Sequence, residues 1–308
     1  MNAIDWIILG IAAVAIAGIV ALSFHRGHHE WLTARFAYRS GLAIPPENEA
    51  AVGARLGLRE RINAVGCYLG AAAGWIIGLP RDTIDPSPQF LFALAGGLAG
   101  VAVAIAATSR LLATSASPDR PLFARSTSVS LRDYSSGFER NGTRVVVALS
   151  VVALAALLVV ATTADASLRS FSTPAIIFVA AAVASLALFE VRGRQIVARG
   201  QRASSESELA FDDALRAREM TDLVVPALVF GIYGTTFAVV DIIIVLTSFP
   251  PDSVLRPILL VVIAIAIVCG FIAKAIQPQQ HYLRALWPKG QPSVAPLPAA
   301  QFHPVDTR

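Results

Sequence analysis

Residues 144–163 read RVVVALSVVALAALLVVATT, a lone arginine followed by nineteen residues without a charge. At 1.5 Å per residue a helix of that length spans about 30 Å, the thickness of a bilayer's hydrocarbon core. Lipid offers no hydrogen-bond partners, so a segment this apolar must satisfy its backbone internally, as a helix does. The same pattern recurs at 4–24, 62–79, 88–107, 173–191, 223–249 and 255–276. The expected fold is therefore an all-α, polytopic membrane bundle of about seven transmembrane helices over residues 1–276.

The chain around these stretches agrees. Hydrophobic residues make up 55% and charged residues 15% of the chain, with mean hydropathy +0.63; an ordinary soluble domain is about a quarter charged. The net charge of +4 does not point to nucleic acid, because the basic residues form no stripe interleaved with aromatics. They are instead distributed by linker. Segments 25–61, 108–144 and 192–222 hold six arginines each, whereas the alternate linkers hold only Arg81, Arg169 and Arg256. One side of the membrane receives 22 basic and 15 acidic residues, the other three basic and six acidic. Basic residues stay on the side of synthesis, which predicts an amino terminus outside, a carboxyl terminus in the cytoplasm and a bacterial inner membrane as the site. No basic residue precedes the first apolar stretch and Arg26 follows it, so it is read as a retained anchor instead of a cleaved leader.

Between the spans, Pro45, Pro46, Glu47 and Glu49 favour a helix start, and Val52, Leu56 and Arg59 share a face at helical spacing. This predicts a helix lying on the membrane that turns inward near Arg61. Ser205 with Glu208 is a capping-box signature, and Asp212 with Arg216 is a stabilising acid-first pair. A helix should run from there into the sixth span, kinked near Pro226. The serine- and arginine-rich middle linker is expected to be partly irregular. Tail 277–308, with six prolines, is expected to be mostly disordered, with Tyr282 and Trp287 at the headgroups. Cys67 and Cys269 read as free thiols packed in apolar surroundings.

Two features inside the spans stand out. Gly66, Gly70, Gly74 and Gly78 repeat every fourth residue, and Gly96 and Gly100 give the third span a similar face. Helices lacking side chains along one face approach closely, so these glycines are assigned to helix packing, within one chain or across a homo-oligomer seam. Asp241 is the acid well inside an apolar run; a charge there costs at least about 2.5 kcal/mol. It is either a proton or cation site or a structural carboxylate held by neighbours or headgroups. His25, His28, His29 and Glu30 fall short of a metal site, and Trp31 fits headgroup depth. No phosphate-binding loop, zinc-protease or nucleophile-elbow motif occurs; no cofactor, metal or catalytic residue is assigned.

Ser130, Leu131, Arg132, Asp133 and Tyr134, together with Asp212, Asp213, Ala214, Leu215, Arg216 and Ala217, resemble segments of uncharacterised multi-span membrane proteins of high-GC actinobacteria. Those proteins often accompany ABC-type ATPases or small regulators, so the resemblance implies a soluble partner at the cytoplasmic linkers, around 55–61 and 205–218. The leading expectation is a non-enzymatic accessory or permease-like component of a transport system embedded in the lipid bilayer. An ion-coupled secondary transporter using Asp241 is the alternative. A membrane enzyme with loop carboxylates is the third reading.

Overall fold

The computed structural model describes residues 10–42 (except 12, 15, 16, 19 and 23), 46–77, 87–114, 129–164, 173–201, 206–247 and 281–287. Among them every regular element is a helix. In chain order these are α1 (Arg26–Ser40), α2 (Pro46–Ile77), α3 (Ser87–Thr114), α4 (Leu131–Tyr134), α5 (Gly137–Thr163), α6 (Thr173–Ala198), α7 (Glu206–Thr247) and α8 (His281–Leu286). The described residues between 10 and 22 are helical as well. The segment expected at 255–276, with Cys269, lies outside the described residues, as do Gly78 and most of the tail.

Helices α5, α6 and α7 are long and apolar enough to cross a membrane, and α3 holds a shorter apolar stretch, Ala95–Ala107. The side chains of α5 divide accordingly. Val145, Leu149, Val152 and Val159 are exposed on one side, while Thr143, Val147, Ser150, Leu157 and Ala161 are buried on the other. A water-facing stripe of that size would be an aggregation surface; in lipid it is the ordinary outer face of a helix.

The helices overrun the apolar stretches at their arginine-rich ends. Helix α2 starts at Pro46, α3 runs to Thr114, α5 starts at Gly137, α6 runs to Ala198 and α7 starts at Glu206. Their other ends, Ile77, Ser87, Thr163, Thr173 and Thr247, fall within about two residues of the expected limits. The overruns, together with α1, α4 and α8, build a second layer on the arginine-rich side. It has its own apolar core, with Phe36, Leu56, Tyr134, Phe211, Met220 and Tyr282 among its buried members. A separate core of Phe178, Phe230, Tyr233 and Phe237 occupies the apolar half of α6 and α7.

This arrangement corrects two expectations, the membrane-lying helix before Arg61 and the headgroup position of Tyr282, and adds order at one end of the middle linker. Helix α2 is continuous through Arg61, and Val52, Leu56 and Arg59 are buried against protein instead of lying on lipid. The end of the middle linker is ordered: the Asp133 carboxylate accepts from the Ser130 backbone N–H at 2.7 Å and hydroxyl at 2.9 Å, and Ser136 accepts from the Glu139 N–H at 3.1 Å to start α5. Within the tail, residues 281–286 are helical, and Tyr282 is buried at 1% exposure, which a headgroup-facing ring is not.

Packing of α2 on α3 depends on glycine. A Cβ at Gly66 would lie 2.6 Å from the Gly100 carbonyl oxygen, and one at Gly70 or Gly74 would overlap the carbonyl of Gly96 or Phe92. Backbones meet where side chains are missing, so dispersion and weak Cα–H···O contacts hold the pair. Helix α7 packs along both α5 and α6. Gly231 and Gly234 make room there for Val146 and Val179, each of which a Cβ would approach to 2.8 Å.

Candidate functional site

The polar groups of the arginine-rich layer converge on the first half of α7. Asp213 is fully buried. Its Oδ1 accepts from the Tyr134 hydroxyl at 2.8 Å and the Gln201 amide at 2.7 Å, and its Oδ2 from the Trp287 indole N–H at 3.2 Å. Three donors from three other parts of the chain make burial of this carboxylate tolerable. Burial, followed by the neighbouring Asp213 charge, raises the Tyr134 phenol well above its ordinary pKa. The hydroxyl thus remains a donor across the physiological range.

Asp212, one residue earlier, meets Arg216 Nε at 2.8 Å. Arg216 in turn donates to the carbonyls of Ile196 at 3.2 Å and Arg199 at 3.1 Å. A helix leaves its last carbonyls without internal partners and carries partial negative charge at that end; a guanidinium there satisfies both at the terminus of α6. Farther along α7, Asp222 accepts from Arg59 Nη2 at 2.8 Å, with Arg218 Nε 3.9 Å away. The Tyr282 hydroxyl donates to the Ser40 carbonyl at 2.9 Å, and burial raises its pKa too. His281 Nε2 lies 3.0 Å from the Arg132 carbonyl. On α1, His28 Nε2 lies 2.6 Å from Glu60 Oε2, so this histidine joins α1 to α2.

Segments 130–134 and 212–217 therefore meet in space, through Tyr134 and Asp213. Sequence reasoning missed Tyr134, Gln201, Trp287 and Asp213 as a constellation. The signals present were the Ser130–Asp133 and Ser136–Glu139 spacings, which announce ordered turns within a linker expected to be partly irregular. Among the described residues, no cluster of three or more His, Cys, Asp or Glu is arranged to hold a metal ion. The acids that do converge accept from tyrosine, tryptophan, glutamine or arginine, an arrangement that fixes geometry.

Asp241 lies two turns before the end of α7 and is fully buried. It shares the inward face with Gly234, Phe237 and Ala238, while Val239, Ile243 and Leu246 face outward. The helix is intact around it: Thr235 and Thr236 donate to the carbonyls of Gly231 and Ile232, each at 2.8 Å. Tyr233, two turns inward, is buried with its hydroxyl unpartnered among the described residues. The packing glycines Gly66, Gly70, Gly74, Gly96 and Gly100 lie together at the α2–α3 contact, away from the Asp213 constellation.

No protein-family model, curated protein or solved structure matches this chain. Function is accordingly a matter of the residues just described.

Proposed function

We propose that the chain is a seven-span protein of a bacterial inner membrane, amino terminus outside and carboxyl terminus cytoplasmic, acting as a non-enzymatic accessory or permease-like component of a transport system. The observation that carries this reading is α7. It is one helix of 42 residues, about 63 Å long at 1.5 Å per residue. Its first half is the hub of the arginine-rich layer, and its second half carries Asp241 among the apolar helices. A single continuous helix thus links a layer that, in this reading, soluble proteins would reach to the interior of the bundle.

A soluble ATPase or regulator, of the sort implied by the resemblance to high-GC actinobacterial membrane proteins, would act on that layer. The packing narrows where. The inward face of 206–218 is covered by the chain's own residues, whereas Arg55 and Leu58 on α2, with Trp31 and Tyr38 on α1, are exposed. Purification from native membranes in mild detergent should co-elute an ATPase or regulator at fixed stoichiometry, and Arg55→Glu with Leu58→Asp should release it. A chain that elutes alone, with substrate transport intact, removes the accessory reading.

The complete burial of Asp241 favours a second reading, an ion-coupled secondary transporter. Proton uptake should then be lost in Asp241→Asn and kept in Asp241→Glu. If Asp241→Leu leaves every transport activity of proteoliposomes unchanged, the ion-site idea ends there.

A further inference from the structure

Helix α8 sits in the arginine-rich layer as a peptide sits in a groove. Three bonds tie residues 281–287 to other elements, and all three run one way. The Tyr282 hydroxyl donates to the Ser40 carbonyl at 2.9 Å, and the Trp287 indole N–H donates to Asp213 Oδ2 at 3.2 Å. His281 Nε2 faces the Arg132 carbonyl at 3.0 Å; a carbonyl only accepts, so this nitrogen carries the proton. The donors belong to the segment and the acceptors to the surface beneath it. Ser40 ends α1 and Arg132 lies in the four-residue α4, so two of the acceptors are carbonyls that their own helices leave unused.

The apolar contacts follow the same division. Tyr282 and Leu283 are buried in the core cluster that includes Phe36, Leu42 and Phe211, and Leu286 and Trp287 pack against it. His281, Arg284 and Ala285 are exposed. Anchors at 282, 283, 286 and 287 on one face are the pattern of a helix laid in a groove.

Two properties distinguish this segment from fixed core. At six residues, α8 is too short to be a stable helix by itself, so its helical form depends on docking. The groove does not depend on α8 in return. Without Trp287, Asp213 keeps its bonds from Tyr134 and Gln201. The end of α1 is closed by its own residues: Gly41, at φ 67°, returns its N–H to the Ala37 carbonyl, and the Ser40 hydroxyl donates to the Phe36 carbonyl at 2.8 Å. Water can take the carbonyls of Ser40 and Arg132 once they are uncovered.

We propose that the groove formed by α1, α4 and α7 is a peptide-binding site, and that residues 281–287 are its tethered, exchangeable ligand. The ligand class is a short amphipathic helix with a tyrosine and a tryptophan five positions apart, each carrying a hydrogen-bond donor to the floor of the groove. The site does not depend on the transport reading.

The test uses the full chain in detergent and a fluorescent peptide of sequence 279–289, with binding followed by anisotropy. In the wild type the tethered segment competes at a local concentration on the order of millimolar, so the free peptide should bind weakly. The double variant Tyr282→Ala, Trp287→Ala weakens the internal competitor and should bind the peptide at least about tenfold more tightly. A gain of binding cannot come from a misfolded variant that has lost the groove. A peptide carrying Tyr282→Phe and Trp287→Phe keeps the aromatic surface and loses both donors; its affinity for the double variant should drop by about tenfold. Equal binding to wild type and double variant, no binding to the double variant, or equal binding of the two peptides overturns the site. Hydrogen exchange on the wild type gives a reading that no substitution disturbs. Amides at the end of α8 should exchange faster than those of residues 209–220 in α7, and faster still when a carbon-13 version of the peptide displaces the segment. Exchange of both regions at one rate, unchanged by the peptide, would make α8 a permanent part of the core and end the proposal.

Discussion

Asp213 shows how far a single carboxylate can organise a layer. Its three donors come from α4, from the loop after α6 and from the residue after α8, and removing one leaves a buried negative charge under-satisfied. Tyr134→Phe should therefore lower stability by about 1.5–3 kcal/mol, read from the thermal or denaturant midpoint in detergent. The tyrosines also set a pH limit. A phenol whose folded pKa is raised supports the fold fully below its unfolded value of about 10 and withdraws that support as pH climbs toward the folded value. Both Tyr134 and Tyr282 shift in this direction because of burial. The midpoint should thus be flat in neutral buffer and fall above about pH 10, less steeply in Tyr134→Phe. A profile that is unchanged between wild type and variant would remove Tyr134 from this role. None of these partners is visible in the sequence. Tyr134 and Asp213 are separated by 79 positions, Arg59 and Asp222 by 163, Ser40 and Tyr282 by 242. Spacing rules reach about one helical turn, so the acid-first pair Asp212–Arg216 was legible and the longer pairings were not.

At the scale of elements, hydropathy marks where lipid begins and says little about where a helix stops. The described helices reach Ile77, Thr163 and Thr247, close to where the apolar stretches end, whereas at the arginine-rich ends they run on well past them. The glycine repeat was more informative, since four-residue spacing puts bare backbone on one face whatever lies opposite. Gly97 adds a way to test the resulting pair: a Cβ built on it would lie 3.3 Å from Cys67 Sγ. With Cys269→Ser as background, Gly97→Cys should form an internal disulfide with Cys67 under mild oxidation, and introducing Gly70→Leu should abolish it. Disulfide-linked dimers on a non-reducing gel would assign these glycines to a seam between copies. Gly142 is the counterexample, with nothing within 4 Å of a built Cβ. In the first turns of α5, Gly142→Ala should stabilise the protein by about 0.5–1 kcal/mol, measured by the same melts.

For the whole molecule, two cores lie one above the other along α7, an aromatic one among the apolar helices and a mixed one in the arginine-rich layer. That division accounts for what composition could and could not reveal. An average over the chain reports the apolar helices, but it hides a layer whose buried members include Asp213, Arg59 and Arg216. In the proposed topology this layer is cytoplasmic, so reporter fusions near Ser126 and near Ser207 should both register there. Either one reporting from the opposite compartment would undo the seven-span topology. The order in which the layer is completed follows from α8. Residues 281–287 bind Ser40 and Asp213, both translated long before them. The ribosome therefore releases a chain whose foundation waits for its last described helix. A product truncated near residue 280 would carry Asp213 without its indole donor and Ser40 without its phenol, and so leave the layer's core open on that side.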